Sequence, residues 1–210
     1  MEGVAPYRPW PRAHAGLYLS GLLCALVGFL GPWIPHKAAA LAVTGFELSE
    51  FAKFFPQVQS GAVPVRRELF LVPLVAMAVE LGLFVHASAR RAAIRVIGTV
   101  VGVALTLAVL PPYQFLRDAS YRGRLVLALA GVAAVLVCVL ASWLPRRAVG
   151  VLVGALALVG GALALWQYAL LHPLFVALYD APVGVGWGAV VCAVGFVLMV
   201  VVGGLRVARP

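Results

Sequence analysis

Six apolar stretches of similar length run through the chain, set apart by short basic or proline-rich segments. They fall at about 15–34, 69–87, 92–110, 124–143, 149–171 and 187–205. Each approaches the roughly 20 residues a helix needs to cross bilayer hydrocarbon. The pattern predicts an all-α integral membrane protein, a bundle of six transmembrane helices forming one domain over 15–205. A 14-residue N-terminal segment precedes it and the tail 206–210 follows. The first stretch also has small residues behind it, Ala38, Ala40 and Ala42, as a cleaved signal peptide would. It is longer than a usual signal core, so a retained helix is the reading taken. Pro73, one turn into the second stretch, is a place for a kink.

The connections alternate in length. Ser88–Arg91 and Pro145–Arg147 are tight basic turns, whereas 36–67, 111–123 and 172–186 are longer loops. The spans therefore read as three hairpins opening toward the long loops. Those loops begin alike, GPWIPH, LPPYQF and LHPLF, which fits an internal repeat or merely aromatic belts beside helix-stopping prolines. Within the first, GFELSEFAKFFP predicts a short amphipathic helix. Leu48, Phe51, Phe54 and Phe55 share one face, Glu47, Glu50 and Lys53 the other, and Pro56 ends it. It is expected to lie in the membrane interface, apolar face down, or to act as a lid or docking element.

Composition strengthens the membrane reading. Hydrophobic residues make up 64% of the chain and charged ones 11%, and mean hydropathy is +1.05. Soluble domains are nearer half apolar and a quarter charged. The net charge of +9 sits in short clusters between spans, as topology signals do, so no nucleic-acid partner is expected. The termini and tight turns hold nine basic residues: Arg8, Arg12, Arg90, Arg91, Arg95, Arg146, Arg147, Arg206 and Arg209. The long loops hold seven: Lys37, Lys53, Arg66, Arg67, Arg117, Arg122 and Arg124. Acids are Glu2 on the first side and Glu47, Glu50, Glu68, Asp118 and Asp180 on the second, giving +8 against +2. That contrast places both termini in the cytoplasm of a plasma-membrane protein. Tyr7 and Trp10 suit the headgroup level.

Glu80 is the one ionisable residue deep in a span. A charge there is costly, about 2.5–3.5 kcal/mol or more on insertion scales, so a partner is expected. Arg95, across the tight turn, is the candidate. At 1.5 Å per residue it lies about 6 Å from the turn and Glu80 about 13 Å, a gap an arginine stem can reach across. The pair would serve as a structural lock, a protonatable site or a docking point. Other span polars, Ser20, Thr99, Thr106, Ser142 and Gln167, are scattered and outline no conduction route. Gly98 and Gly102, and Gly150 and Gly154, are spaced for close helix packing, with Gly160 and Gly161 and a Gly188–Cys192–Gly195 face beside them.

On the long-loop side His36, Glu47, Glu50, Arg66, Arg67, His172 and Asp180 are candidates for acid–base or lipid-phosphate contacts. No spacing marks a metal site, the three cysteines form no CxxC pair, and no cofactor is expected. The leading expectation is a non-catalytic membrane subunit or scaffold that packs against partner membrane proteins or copies of itself. The runner-up is a small transporter or lipid-handling protein with Glu80 as the titrating group. A membrane enzyme ranks third.

Overall fold

The structure is a computed structural model that describes residues 10–35, 42–89 and 91–208. Its helices are α1 (Arg12–Leu30), α2 (Gly45–Phe51), α3 (Pro56–Gln59), α4 (Val72–Ser88), α5 (Ala92–Leu107), α6 (Arg122–Val137), α7 (Arg146–Tyr179) and α8 (Trp187–Ala208). Short 3-10 turns extend several of them, at Ala52–Phe54, Arg67–Leu71, Ala119–Tyr121 and Cys138–Trp143. Two short strands, β1 (Pro32–Ile34) and β2 (Val43–Thr44), pair antiparallel. The fold is otherwise all-α. Five helical runs are long and apolar enough to cross a bilayer: Arg12–Leu30, Arg67–Ser88, Ala119–Trp143, Arg146–Tyr179 and Trp187–Ala208. The remaining apolar helix, α5, has 16 residues, about 24 Å of rise.

α4 is the most deeply buried of these runs and touches α1, α5, α6 and α7. α8 packs along α1 on one side and α7 on the other. The α1–α8 seam is backbone on backbone. A methyl group added at Gly28 would lie 2.1 Å from the Cys192 nitrogen, and one at Gly195 would lie 2.3 Å from the Ala25 nitrogen. Only glycine permits that approach, which brings many atoms of both helices into dispersion contact. Between α7 and α8, Gly203 faces the backbone of Gly150 and Gly154. In α5, Gly98 takes the Val85 side chain and Gly102 faces the Ala78 carbonyl of α4.

Several boundaries differ from the sequence reading, each for a local reason. α1 stops at Leu30 because Gly31 turns extended and Pro32 starts β1. Trp33 anchors that strand: its indole donates to the Gly28 carbonyl (3.0 Å), and its own carbonyl accepts from Tyr168 (3.1 Å) and Gly186 (2.8 Å). α7 does not end at Leu171 but continues through His172 and Pro173 to Tyr179, leaving a shorter loop from Asp180. Pro73 makes no mid-helix kink, since it stands in the first turn of α4, where its missing N–H is harmless. The three similar loop openings take three conformations, a strand, a 3-10 turn and continued helix. Trp10 packs edge-on against Tyr18 and Phe84, 5.0 Å from each, rather than facing headgroups. Tyr7, Arg8, Arg90 and Arg209 lie outside the described residues.

The predicted amphipathic helix is real over Gly45–Phe51, and its apolar face is divided: Leu48 and Phe55 turn onto protein, while Phe54 is exposed. Leu48 and Ala52 are fully buried, and α2 packs on α1 and the Arg67–Leu71 turn. The chain then straightens at Phe55, and Pro56 opens α3 instead of ending helical structure.

Replacing Gly28 by alanine is expected to lower thermal stability in detergent sharply, by about 1–3 kcal/mol or more, as overpacking does. Gly16→Ala, at a site with no atom within 4 Å of the added methyl, should leave the unfolding temperature unchanged or slightly raised.

Candidate functional site

Two groups of polar side chains stand out. The first surrounds Glu80 in α4, which is completely buried. The Tyr18 hydroxyl of α1 donates to its carboxyl Oε2 and also lies 2.8 Å from its backbone carbonyl. The carboxyl borders the backbone of Ala157 in α7, and its Oε1 closes no hydrogen bond. Tyr18 belongs to a three-ring cluster: Phe84 stacks on it at 5.1 Å, and Trp10 meets both rings edge-on at 5.0 Å. The Arg206 guanidinium of α8 lies 4.0 Å from the Trp10 ring centroid. One carboxyl thus ties α4 to α1, in a setting where α1 leans mainly on α8.

The expected Arg95–Glu80 pair is not formed. Arg95 Nε donates to the Ala89 carbonyl at 2.8 Å, so the arginine closes the end of α4 instead of reaching inward. His86 Nε2 meets Thr99 Oγ1 at 2.9 Å, and that hydroxyl donates to the Arg95 carbonyl. The Thr99 proton being used there, the imidazole Nε2 carries the hydrogen between them.

The second group caps the end of the bundle formed by the long loops. Arg124, nearly buried at the start of α6, pairs through NH1 with Glu50 Oε1 at 2.7 Å and through NH2 with Ser49 Oγ. Glu50 Oε2 accepts from Lys53 at 2.8 Å and from the Tyr121 hydroxyl at 3.1 Å. The Tyr121 ring has Lys53, Arg67 and Arg124 within 6 Å of its centroid, and Arg67 NH2 also donates to the Ser120 carbonyl at 2.8 Å. Burial alone would raise the Glu50 carboxyl. The Lys53 hydrogen bond, then the Arg124 and Lys53 charges and the Tyr121 hydroxyl, outweigh this and hold it below its ordinary value. The same hydrogen bond raises the Lys53 ammonium.

The other sequence candidates are dispersed. Glu47 forms a capping box with Thr44, its carboxylate accepting the Thr44 N–H at 2.9 Å while Thr44 Oγ1 accepts the Glu47 N–H at 3.2 Å. Arg66 uses its backbone N–H, which donates to Gln167 Oε1 at 2.7 Å, and leaves its side chain exposed. His172 Nε2 meets the Val183 carbonyl at 2.9 Å, and Asp180 is an exposed left-handed residue ending α7. His36 lies outside the described residues. Among the described residues no group of three His, Cys, Asp or Glu side chains is placed to hold a metal. Tyr18, Ser49 and Tyr121 escaped the sequence reading. Tyr18 carries the clearest overlooked signal, a phenol at the fourth position of an apolar span.

No family model, curated protein or solved structure matches the chain.

Tyr18→Phe leaves the Glu80 carboxyl without its donor. It is expected to cost about 1–3 kcal/mol, the usual penalty of an unsatisfied buried group, read as a fall in unfolding temperature. Glu80→Gln keeps an acceptor for Tyr18 and should cost less. Glu50, whose folded pKa is depressed, adds stability that is complete above its ordinary 4.5 and is lost as pH falls through the lower folded value. The acid-side drop in unfolding temperature should therefore be shallower for Glu50→Gln than for the unaltered protein.

Proposed function

We propose that the chain is a non-catalytic integral membrane scaffold of the plasma membrane. In this reading six helices cross the bilayer in three hairpins, α5 being lengthened by the apolar residues up to Leu110. An even number of crossings puts both termini on one side. The arginines of the tight turns favour the cytoplasm for that side, with the long-loop end outside. The protein works by packing against partner membrane proteins.

The observation that carries this reading is the contact of Glu80 with a phenol of its own chain. A carboxyl so placed serves the assembly of the bundle. Other buried polar groups are also used internally: Thr106 donates to the Val103 carbonyl, Gln167 Oε1 holds the Arg66 backbone, and Arg124 binds Glu50 and Ser49. The cavities bordering the helices α4, α6, α7 and α8 are lined almost wholly by aliphatic side chains. This arrangement suits a rigid support better than a solute route.

Native mass spectrometry after extraction in mild detergent tests the proposal. The expected result is a complex of defined stoichiometry with a second membrane polypeptide, its yield reduced by Glu80→Leu. A monomer alone, showing solute flux in proteoliposomes that Glu80→Gln abolishes, would overturn it in favour of a transporter.

A further inference from the structure

Past His172, α7 carries Phe175, Leu178 and Tyr179 along one wall of a cleft whose other wall is Phe51, Phe54, Phe55 and Pro56. The cleft encloses about 470 Å³, the scale of a site that accepts a small ligand or a few side chains. Its base is fixed: Phe55 and Phe175 are buried and meet edge to face at 5.0 Å. Its rims are open, with Phe54 67% and Leu178 63% exposed.

The height of this cleft decides what can fill it. From Arg146 to Trp166 is 20 residues of helix, about 30 Å, which equals the hydrocarbon thickness. Trp166 and Trp187 are both half exposed, as interfacial anchors are. Phe175 to Tyr179 lie a further 9 to 13 residues along α7, about 14–20 Å beyond Trp166. An acyl chain would have to leave the bilayer to reach them, whereas a polypeptide outside the hydrocarbon would not. Exposed aromatic surface in that zone is the kind that binds protein.

Charge narrows the partner further. Lys53 stands at the Phe54 rim with Nζ 5.3 Å from the ring centroid and over a third of its side chain exposed. Its carboxylate partner, Glu50, is shared with Arg124, which also feels the Glu68 charge, so the ammonium has no acid to itself. Of the nearby acids, Glu47 is engaged by its own helix cap and Asp180 follows Tyr179 on the opposite wall.

We propose that this cleft seats an apolar segment of a partner polypeptide, two hydrophobic or aromatic side chains flanked by an Asp or Glu that pairs with Lys53. The inference rests on the scaffold reading and names the surface by which the scaffold recognises its partner.

Photo-crosslinking in the cells that make the protein tests it, with p-benzoylphenylalanine placed at Phe54 and, separately, at Leu178. Trp143, 84% exposed at the tight-turn end, and Val100, 62% exposed on α5, serve as comparison positions. The expected result is one polypeptide adduct common to both cleft positions and absent at Trp143, mapped to an apolar stretch with an acid within about four residues, one helical turn. Lys53→Glu should cut its yield about tenfold and Lys53→Gln less; Lys53→Gln, which sets no second carboxylate beside Glu50, is the variant expected to keep an unfolding temperature near that of the unaltered protein. Changing the partner's acid to Lys should restore the yield with Lys53→Glu. Lipid adducts alone, a second copy of this chain, or the same adduct at Trp143 would overturn the inference. Protein adducts at Val100 but not in the cleft would sink the cleft and leave the scaffold standing. No protein adduct at any position would sink both.

Discussion

A carboxyl group in the middle of an apolar helix has to be answered from inside the protein, because hydrocarbon offers neither charge nor hydrogen bonds. The arrangement of α1, α4 and α7 follows from that constraint. Glu80 lies where α4 is covered on every side, and its donor comes from α1, the helix that otherwise belongs to the α8 side of the bundle. The phenol is fully buried and packed in a cluster with Trp10 and Phe84, which limits its freedom to swing away. α4 thereby becomes the shared element between α1, α7 and α8 on one flank and α5 and α6 on the other. Glycine seams could hold α1 to α8 without it, but nothing in those seams would fix where α4 sits against α1.

The long-loop end obeys the same rule with a different solution. Arg124 begins α6 in a nearly closed environment, where an unpaired guanidinium would be costly. Glu50 and Ser49, neighbours on α2, supply its partners, so burying the arginine pins α2 to the bundle. Leu48 and Ala52 complete the attachment with apolar contact. A segment read as suited to a membrane surface is thus fastened to the bundle by an ion pair and a small core of its own.

The helical character and the approximate places of the apolar runs were legible because hydrophobic length is a one-dimensional signal. The position of Glu80 was legible for the same reason. Its partner was not, because nearness along the chain favoured Arg95, across the tight turn on α5, over Tyr18, which is 62 residues distant. Arg95 had a nearer use, the carbonyl of Ala89 at the end of α4. The end of α7 was misplaced because proline followed an aromatic-rich stretch and was read as a stop. Within an established helix Pro173 removes one hydrogen bond, and Phe175 packing on Phe55 keeps the helix going. The apolar face of α2 was correctly found, but amphipathicity does not say whether lipid or protein covers it.

The use made of the small residues also changes where a partner can be recognised. Spaced glycines suggested close helix packing, and it is used within the bundle: Gly28 and Gly195 are spent between α1 and α8, and Gly150 and Gly203 between α7 and α8. What α5 and α6 leave outward is branched and bulky, Val96, Ile97, Val100, Val126, Leu129 and Leu136. Such faces are matched by acyl chains as well as by any helix, so they discriminate poorly. Discrimination needs shape and charge together. Beyond the hydrocarbon, the overrun of α7 and the fastened α2 segment bring aromatic walls and an ammonium group to one cleft. The internal locking of the bundle and the placing of a selective surface at its end are therefore consequences of the same packing.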